Sequence, residues 1–237
     1  MEVKPYKKDA EYSYTLGAFP TIELLKTRPE EVIEIYVHST YTDVPMLEEL
    51  AKPYGIPVLV KDKMINKLSD KENCFVVGVF KKYQDTLDKN KSHVVLVNPS
   101  NMGNMGTIIR TAIGFGIKNL AIISPGVDVF HPKTIRASMG ALFRINCRYF
   151  ASFEEYEAEY DKHEVFCFML NAKRQLTVKN CPKPELFSLV FGNEATGLDN
   201  SYLEKGTSII IPQSEEVDSL NITIAAGVGM YLFTQQN

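Results

Sequence analysis

The stretch Val97-Asn98-Pro99-Ser100-Asn101-Met102-Gly103-Asn104-Met105-Gly106-Thr107-Ile108-Ile109-Arg110-Thr111 carries the reading of the whole chain. It follows a continuous apolar run, His93–Val97, and leads into an amphipathic run, Met105–Phe115. Strand, Gly- and Asn-rich loop and helix in that order are the start of a parallel α/β unit. Asn104 is expected to cap the helix, and Gly103 and Gly106 to admit another group at close range. Arg110 falls in the helix's second turn. By itself the loop fits either a tight strand–helix turn with a surface arginine or a ligand-binding edge. The spacing is not G-x-G-x-x-G, and the next strand ends at Ser124-Pro125 rather than at a ribose-binding acid, so a nicotinamide site is disfavoured.

The same alternation extends outward. Leu120–Ile123, Val165–Leu170, Leu186–Phe191 and Ser208–Ile211 read as buried strands, because parallel strands covered on both faces show continuous apolar runs. Pro132–Leu142, Phe153–Tyr160 and Leu220–Phe233 read as the helices between them. Toward the N-terminus, strand candidates Ile33–Val37, Pro57–Val60 and Cys74–Phe80 alternate with helix candidates Phe19–Lys26, Met46–Tyr54 and Met64–Leu68. This predicts a small α/β domain over 1–82, a polar linker over 83–92 and a larger α/β domain over 93–237. Tyr6, Tyr12 and Tyr14, beside Lys4, Lys7 and Lys8, fit either aromatic rings that stack on bases or, the preferred reading, an ordinary amphipathic terminus.

Composition narrows the function. Of 237 residues 45% are hydrophobic and 23% charged, which excludes a disordered chain. Twenty-six basic against 29 acidic side chains give a net charge of −3, so any nucleic-acid contact must be local. The 4 cysteines are scattered without metal-ligand spacing and read as reduced core residues, with no metal site expected. No apolar run is long enough for a membrane span and the start carries no secretory pattern, so a cytoplasmic protein is expected.

Two further segments follow strand ends. Phe191-Gly192-Asn193-Glu194-Ala195-Thr196-Gly197-Leu198 places an acid between glycines, fitting either a solvated turn or a carboxylate facing a cleft. Ile211-Pro212 through Ser219-Leu220-Asn221 opens the last helix, with Asp218 or Ser219 as the expected cap. The patterns N-x-G-x-x-x-R-T-A, F-G-N-E-x-x-G-L and I-P-x(6)-S-L-N thus occur in order. Together with Arg136-Ala137-Ser138-Met139-Gly140-Ala141-Leu142-Phe143 between them, they resemble the motifs of the SpoU family of RNA 2′-O-ribose methyltransferases, in the SPOUT superfamily.

That resemblance implies a parallel-sheet SPOUT domain with a C-terminal trefoil knot, preceded by a small substrate-binding domain. It implies S-adenosylmethionine as methyl donor, tRNA or rRNA as substrate and a homodimer. Arg110, Asn104, Glu194, Ser219 and Asn221 match the family's catalytic positions, with Arg110 oriented by Glu194 or Asn104. Leu170, with Asn171 beside it, and Gly192, Asn193, Gly197, Ile211 and Leu220 match positions around the cofactor. Arginine is a poor base at its ordinary pKa above ~12, so Arg110 is expected to position and stabilise charge. Lys133, Arg136, Arg144 and Arg148 form a run without an acid that either contacts RNA phosphates or is simply solvated. Where the family often has Met and Gly after Ile-Pro, this chain has Gln213-Ser214-Glu215-Glu216-Val217-Asp218, which bears on substrate identity. A non-catalytic RNA-binding or assembly factor of the same fold is the alternative, and cofactor titration separates the two. On the last helix, Ala225, Ala226, Gly229, Tyr231, Leu232 and Phe233 are expected to present surplus apolar surface to a second copy.

Overall fold

The computed structural model describes residues 4–69 and 73–235. Two sheets organise them. The first joins β1 (Tyr12–Leu16), β2 (Val32–Val37), β3 (Val58–Val60) and β4 (Val76–Lys81) in the order β1-β4-β2-β3. Helix α1 (Ala18–Thr27) follows β1, α2 (Val44–Ala51) follows β2, and α3 (Asp62–Leu68) follows β3. β4 runs antiparallel to both neighbours, whereas β2 and β3 are parallel. β1 was not legible as a strand, because its tyrosines, serine and threonine imitate an amphipathic terminus. In the fold Tyr14 is fully buried and donates to Lys4 O, while Tyr6 donates to Asp128.

The second sheet contains β5 (His93–Val97), β6 (Asn119–Ile123), β7 (Asn146–Phe150), β8 (Glu164–Phe168), β9 (Arg174–Gln175), β10 (Phe187–Phe191) and β11 (Thr207–Ile210). Its order is β7-β6-β5-β10-β8-β11-β9, and every neighbouring pair is parallel. Side chains alternate cleanly between two cores. Val94, Leu96, Leu120, Ile122, Leu189 and Phe191 face α4 (Met102–Gly114), α5 (Pro132–Ala137) and α7 (Ile222–Thr234). Val95, Ala121, Ile123, Cys167 and Val190 face α6 (Phe153–Glu159) through Phe153 and Tyr156. Fully burying each large side chain stabilises the fold by roughly 1.5–3 kcal/mol.

Several expected elements differ in detail. The helix expected over Pro132–Leu142 breaks after Ala137, because Met139 (φ 51°) and Gly140 (φ 78°) turn left-handed before a short 3-10 turn at Ala141–Arg144. Asn146–Phe150, taken only as part of a basic run, is an edge strand. The polar segment 83–92 is no free tether: Leu87 is buried and Asp85 pairs with Arg28 at 3.0 Å. Leu24 and Phe80 of the first sheet layer pack into the core of the second, with Phe80 edge-on to Phe143 at 5.3 Å. The two sheets therefore meet at an apolar seam.

Candidate active site

In an open parallel sheet, ligand sites form beyond the carboxyl ends of the strands, where strand order reverses. Here the chain leaves β5 toward β6 and β7 on one side and later returns to β10 and β8 on the other. The loops after β5, β8, β10 and β11 converge at that end.

A cleft opens there, lined by the ends of β8, β10 and β11 and the start of α7. All of the expected cofactor positions line it: Leu170, Gly192, Asn193, Gly197, Ile211 and Leu220, joined by Glu194 and Ser219. Its floor is apolar, from Phe168, Ile209 and Ile222, residues that no motif singled out. Asn171 turns away and donates to Asn200 at 2.9 Å.

Gly192 is dictated by close approach. A Cβ there would lie 2.1 Å from Gly197 C and 2.3 Å from Leu198 N. The Asn193–Gly197 turn is also closed by reciprocal backbone bonds of 3.2 and 2.8 Å. The result is a backbone cradle beside an apolar floor, with polar side chains at its rim. That donor set fits an adenosine-bearing sulfonium compound: apolar walls for ring and thioether carbons, backbone and amide groups for base and ribose edges.

Glu194 makes no hydrogen bond or ion pair with Arg110. Its carboxylate accepts from Ser100 N at 2.9 Å, Ser100 Oγ at 2.7 Å and Asn101 N at 3.1 Å, with Asn104 Nδ2 at 3.4 Å. Burial pushes the Glu194 pKa up, but these bonds outweigh it and hold it below its ordinary value. The carboxylate is thus a staple between two strand-end loops. A second staple runs beside it: Asn193 Nδ2 donates to Asn98 O at 2.7 Å. Asn98 adopts a left-handed conformation (φ 48°), which Asn tolerates better than most residues. Ser100 and Asn98 were missed because neither carries a recognisable spacing; only the burial of charge at Glu194 reveals Ser100.

The caps also move. Asn101, not Asn104, caps α4, accepting from Gly103 N at 2.8 Å and Asn104 N at 3.1 Å. Asn221, rather than Asp218 or Ser219, caps α7, accepting from Thr223 N at 2.8 Å. The close group admitted by Gly106 is α5: a Cβ there would meet Ala137 Cβ at 2.5 Å and Thr134 O at 2.6 Å.

Arg110 is exposed on α4, outside the cleft, and lines a shallow hollow with Thr107, Thr111, Phe115 and Ala137. It makes no hydrogen bond or ion pair among the described residues. Lys133 and Arg136 are exposed on α5. Arg144 and Arg148 are committed elsewhere, to Glu23 at 2.7 Å and Glu159 at 2.8 Å. The basic run is therefore split by ion pairs that its sequence did not reveal. On α7, Ala226, Gly229, Met230 and Phe233 face the protein's own sheet, with Gly229 abutting Phe168 and Phe191. Only Ile224 and Tyr231 of that helix are largely exposed large apolar residues. Among the described residues no cluster of His, Cys, Asp and Glu suits a metal, and no helix is long and apolar enough to cross a membrane.

Comparison with known proteins bears on the same region. Residues 91–231 match the SpoU rRNA Methylase family. The chain is 30% identical over 130 residues to the Bacillus subtilis (strain 168) 23S rRNA (guanosine(2553)-2′-O)-methyltransferase RlmP, covering 54% of this chain and 52% of that one. It is 24% identical over 211 residues to a 23S rRNA (adenosine(1067)-2′-O)-methyltransferase of Streptomyces azureus, covering 85% and 78%. The crystal structure of an AdoMet-bound rRNA methyltransferase from Sinorhizobium meliloti superposes with a TM-score of 0.79 at 24% identity, over 94% of this chain and 86% of that one. The chain spans about half the length of the first curated relatives it matches.

Proposed function

The chain belongs to the SpoU rRNA methylase family, and from that premise we propose that it transfers a methyl group from S-adenosylmethionine to a ribose 2′-hydroxyl of tRNA or rRNA. The observation that carries the reading is the cleft itself, where every position matched to the family's cofactor contacts converges beside Glu194 and Ser219. Bound there, S-adenosylmethionine supplies an electrophilic methyl group. The backbone cradle of Gly192–Gly197, with Leu170, Ile211 and Leu220, holds it and excludes water from its apolar side.

Methyl transfer to a hydroxyl also needs an aligned nucleophile and stabilisation of the charge it develops. Arg110 serves both needs: its guanidinium is unpaired and so available to ribose and phosphate oxygens. Glu194 acts one step back. By stapling the 98–101 loop it fixes the start of α4 and hence where Arg110 stands. Asn104 joins that staple, while Asn221 fixes the start of α7 and Ser219 the rim of the cleft.

The finer architecture belongs to the same proposal. β10 sits between β5 and β8, and after β11 the chain returns to pack α7 against α4 and β10. This path supports a trefoil knot, with 192–198 and 211–221 as its cofactor-holding loops. Residues 1–82 form a substrate-binding domain, 83–92 the connection and 93–237 the methyltransferase domain. Two chains pair through Ile224, Tyr231 and neighbouring residues, and the enzyme works in the cytoplasm.

Calorimetric titration with S-adenosylmethionine, together with tritium transfer to bulk RNA, tests the reading. Binding plus transfer to 2′-O positions is the expected result. Absence of binding, or binding without transfer, would sink the reading and favour the assembly factor.

A further inference from the structure

Between β6 and α5 lies Val127-Asp128-Val129-Phe130, one acid among apolar residues. A carboxylate so placed needs donors that replace its water. Its own backbone supplies one, with Phe130 N donating to Oδ1 at 2.8 Å. The others come from residues flanking the first sheet. Tyr6 Oη and Lys82 Nζ both donate to Asp128 Oδ2, the lysine at 3.2 Å. The ammonium carries three donors, and Lys82 spends the other two on Tyr6 Oη at 2.9 Å and Lys8 O at 2.7 Å. Burial, and then the Asp128 carboxylate, push the Tyr6 hydroxyl well above its ordinary pKa, so it stays a donor. Only 15% of the Lys82 side chain and 13% of that of Asp128 are exposed.

The other side of the same segment holds a loop of the candidate site. Val127 N donates to Pro99 O at 2.9 Å, and Asn98 N to Ile123 O at 3.0 Å. A Cβ on Gly126 would lie 3.4 Å from the Pro99 ring. Pro99 belongs to the 98–101 loop that Glu194 and Asn193 hold from the cofactor side, and Asn101 of that loop caps the helix carrying Arg110. Hydrogen bonds and short pieces of chain thus run from the wall of the cleft through 98–101 and 127–128 to Tyr6 and Lys82. The seam between the sheets has a second directional contact, Arg28 with Asp85, whose Oδ2 accepts from Cys147 N at 3.2 Å. Cys147 opposes Leu120 near the start of β6, at the opposite end of the sheet from the cleft.

Apolar contact between the two layers is non-directional, whereas hydrogen bonds and ion pairs hold only over a narrow range of distance and angle. We propose that Asp128 is a positioning residue for methyl transfer. It fixes the first layer in register with the 98–101 loop, so that RNA held by that layer meets Arg110 in line with the cofactor. This rests on the RNA methyltransferase reading, with residues 1–82 as the substrate-binding domain. The expected effect is on turnover rather than on binding, because a reactant misplaced by about 1 Å can lose up to ~100-fold in rate while it stays bound.

The test compares full-chain variants by tritium transfer from S-adenosylmethionine to total RNA of cells lacking the protein. Asp128→Asn should lower kcat at least about tenfold, with KM for RNA and S-adenosylmethionine affinity within about threefold of wild type. Its urea midpoint should also fall, since the Lys82 ammonium is left buried without its counter-charge. Adding Lys82→Met removes that charge and should return the midpoint part of the way, with no recovery of kcat. Arg28→Met breaks the contact remote from the cleft, so it should lower the midpoint but leave kcat within about threefold. Turnover that recovers with the midpoint in the double variant, or that falls as far in Arg28→Met, would make Asp128 a stability residue and overturn the proposal. So would near-normal kcat in Asp128→Asn, or a loss confined to KM or to cofactor binding. If the wild-type protein transfers no methyl group to this RNA, the underlying reading fails, and this proposal with it.

Discussion

The seven-stranded sheet carries a polar cluster at each end, and the two are built oppositely. At the amino end, His93 opens β5, Ser188 lies beside it in β10, and His163 precedes β8. Tyr156 Oη bridges His93 Nδ1 at 2.9 Å and Ser188 Oγ at 2.6 Å, and Ser188 Oγ meets His163 Nδ1 at 2.9 Å. The carbonyls of Asp88 and Lys89 close the ring nitrogens at the outer side. His93, Ser188, His163 and Tyr156 are all buried. At the carboxyl end, Glu194, Asn193, Ser100 and Asn98 are also mutually bonded, but they frame a cleft. A closed network of satisfied polar groups specifies packing, whereas a network that holds loops apart makes a site. Histidines and a serine near one another are therefore poor guides to chemistry in this chain, and no histidine lines the cleft.

Substitutions should separate the two ends. The largest effect is expected from Arg110→Ala. Turnover should fall at least ~100-fold, the scale of losing a positioned electrostatic donor, while S-adenosylmethionine affinity changes by less than ~1 kcal/mol. Tritium transfer and calorimetry measure both; parallel loss of the two would place Arg110 in the cofactor site after all. Arg110→Lys should rescue little, since a point charge lacks the planar fork.

At the closed end, Tyr156→Phe should lower stability by about 2 kcal/mol, because it strands a buried histidine nitrogen. Urea unfolding gives the loss, and cofactor affinity should stay constant. Gly192→Ala should do the reverse. Its Cβ would overlap the Gly197 backbone, so the cradle must shift, and cofactor affinity should drop at least about tenfold with a smaller change in unfolding midpoint. A bound cofactor at normal affinity in that variant would break the assignment of this loop.

The pH profile sharpens the contrast further. Burial pushes His93 down to about 4 and also lowers His163, each from an ordinary 6.5. Both are neutral in the fold and take up protons more readily when unfolded. Their stabilising contribution is therefore complete above pH 6.5 and is lost as pH falls toward 4, by at most about 1.4 kcal/mol per pH unit for each group. Glu194, held below the ordinary carboxylate value, contributes only to a loss at lower pH. Stability measured between pH 7 and 4 that stays flat would contradict the closed network. The smallest effect is expected for Asn101→Ala, about 1 kcal/mol for a lost helix cap, read as a small fall in midpoint. Asn104→Ala should cost less stability than this, which tests the exchange of caps directly.

Much of this molecule was legible because its signals are local. A parallel strand covered on both faces must be apolar throughout, so His93–Val97, Leu120–Ile123 and Leu186–Phe191 announce themselves. Gly192 must be glycine because two backbones meet there, and the ordered motifs, with Leu170 at another strand end, brought Gly197, Ile211 and Leu220 to one cleft before any contact was visible. β1 and β7 did not announce themselves, since their polar and aromatic residues acquire buried partners only from the other sheet or from Asp128 and Glu159. The same reason hid the roles of Ser100 and Asn98, and the ion pairs that silence Arg144 and Arg148. Periodicity and motif order follow from each residue's own burial and backbone needs, and these the sequence determined. Which carboxylate meets which donor and which arginine stays free depend on groups far apart in the chain meeting in space, as Arg28 meets Asp85 and Glu23 meets Arg144. Those pairings were decided by tertiary structure alone, because a charge or hydrogen bond acts over a few ångströms whatever the distance along the chain.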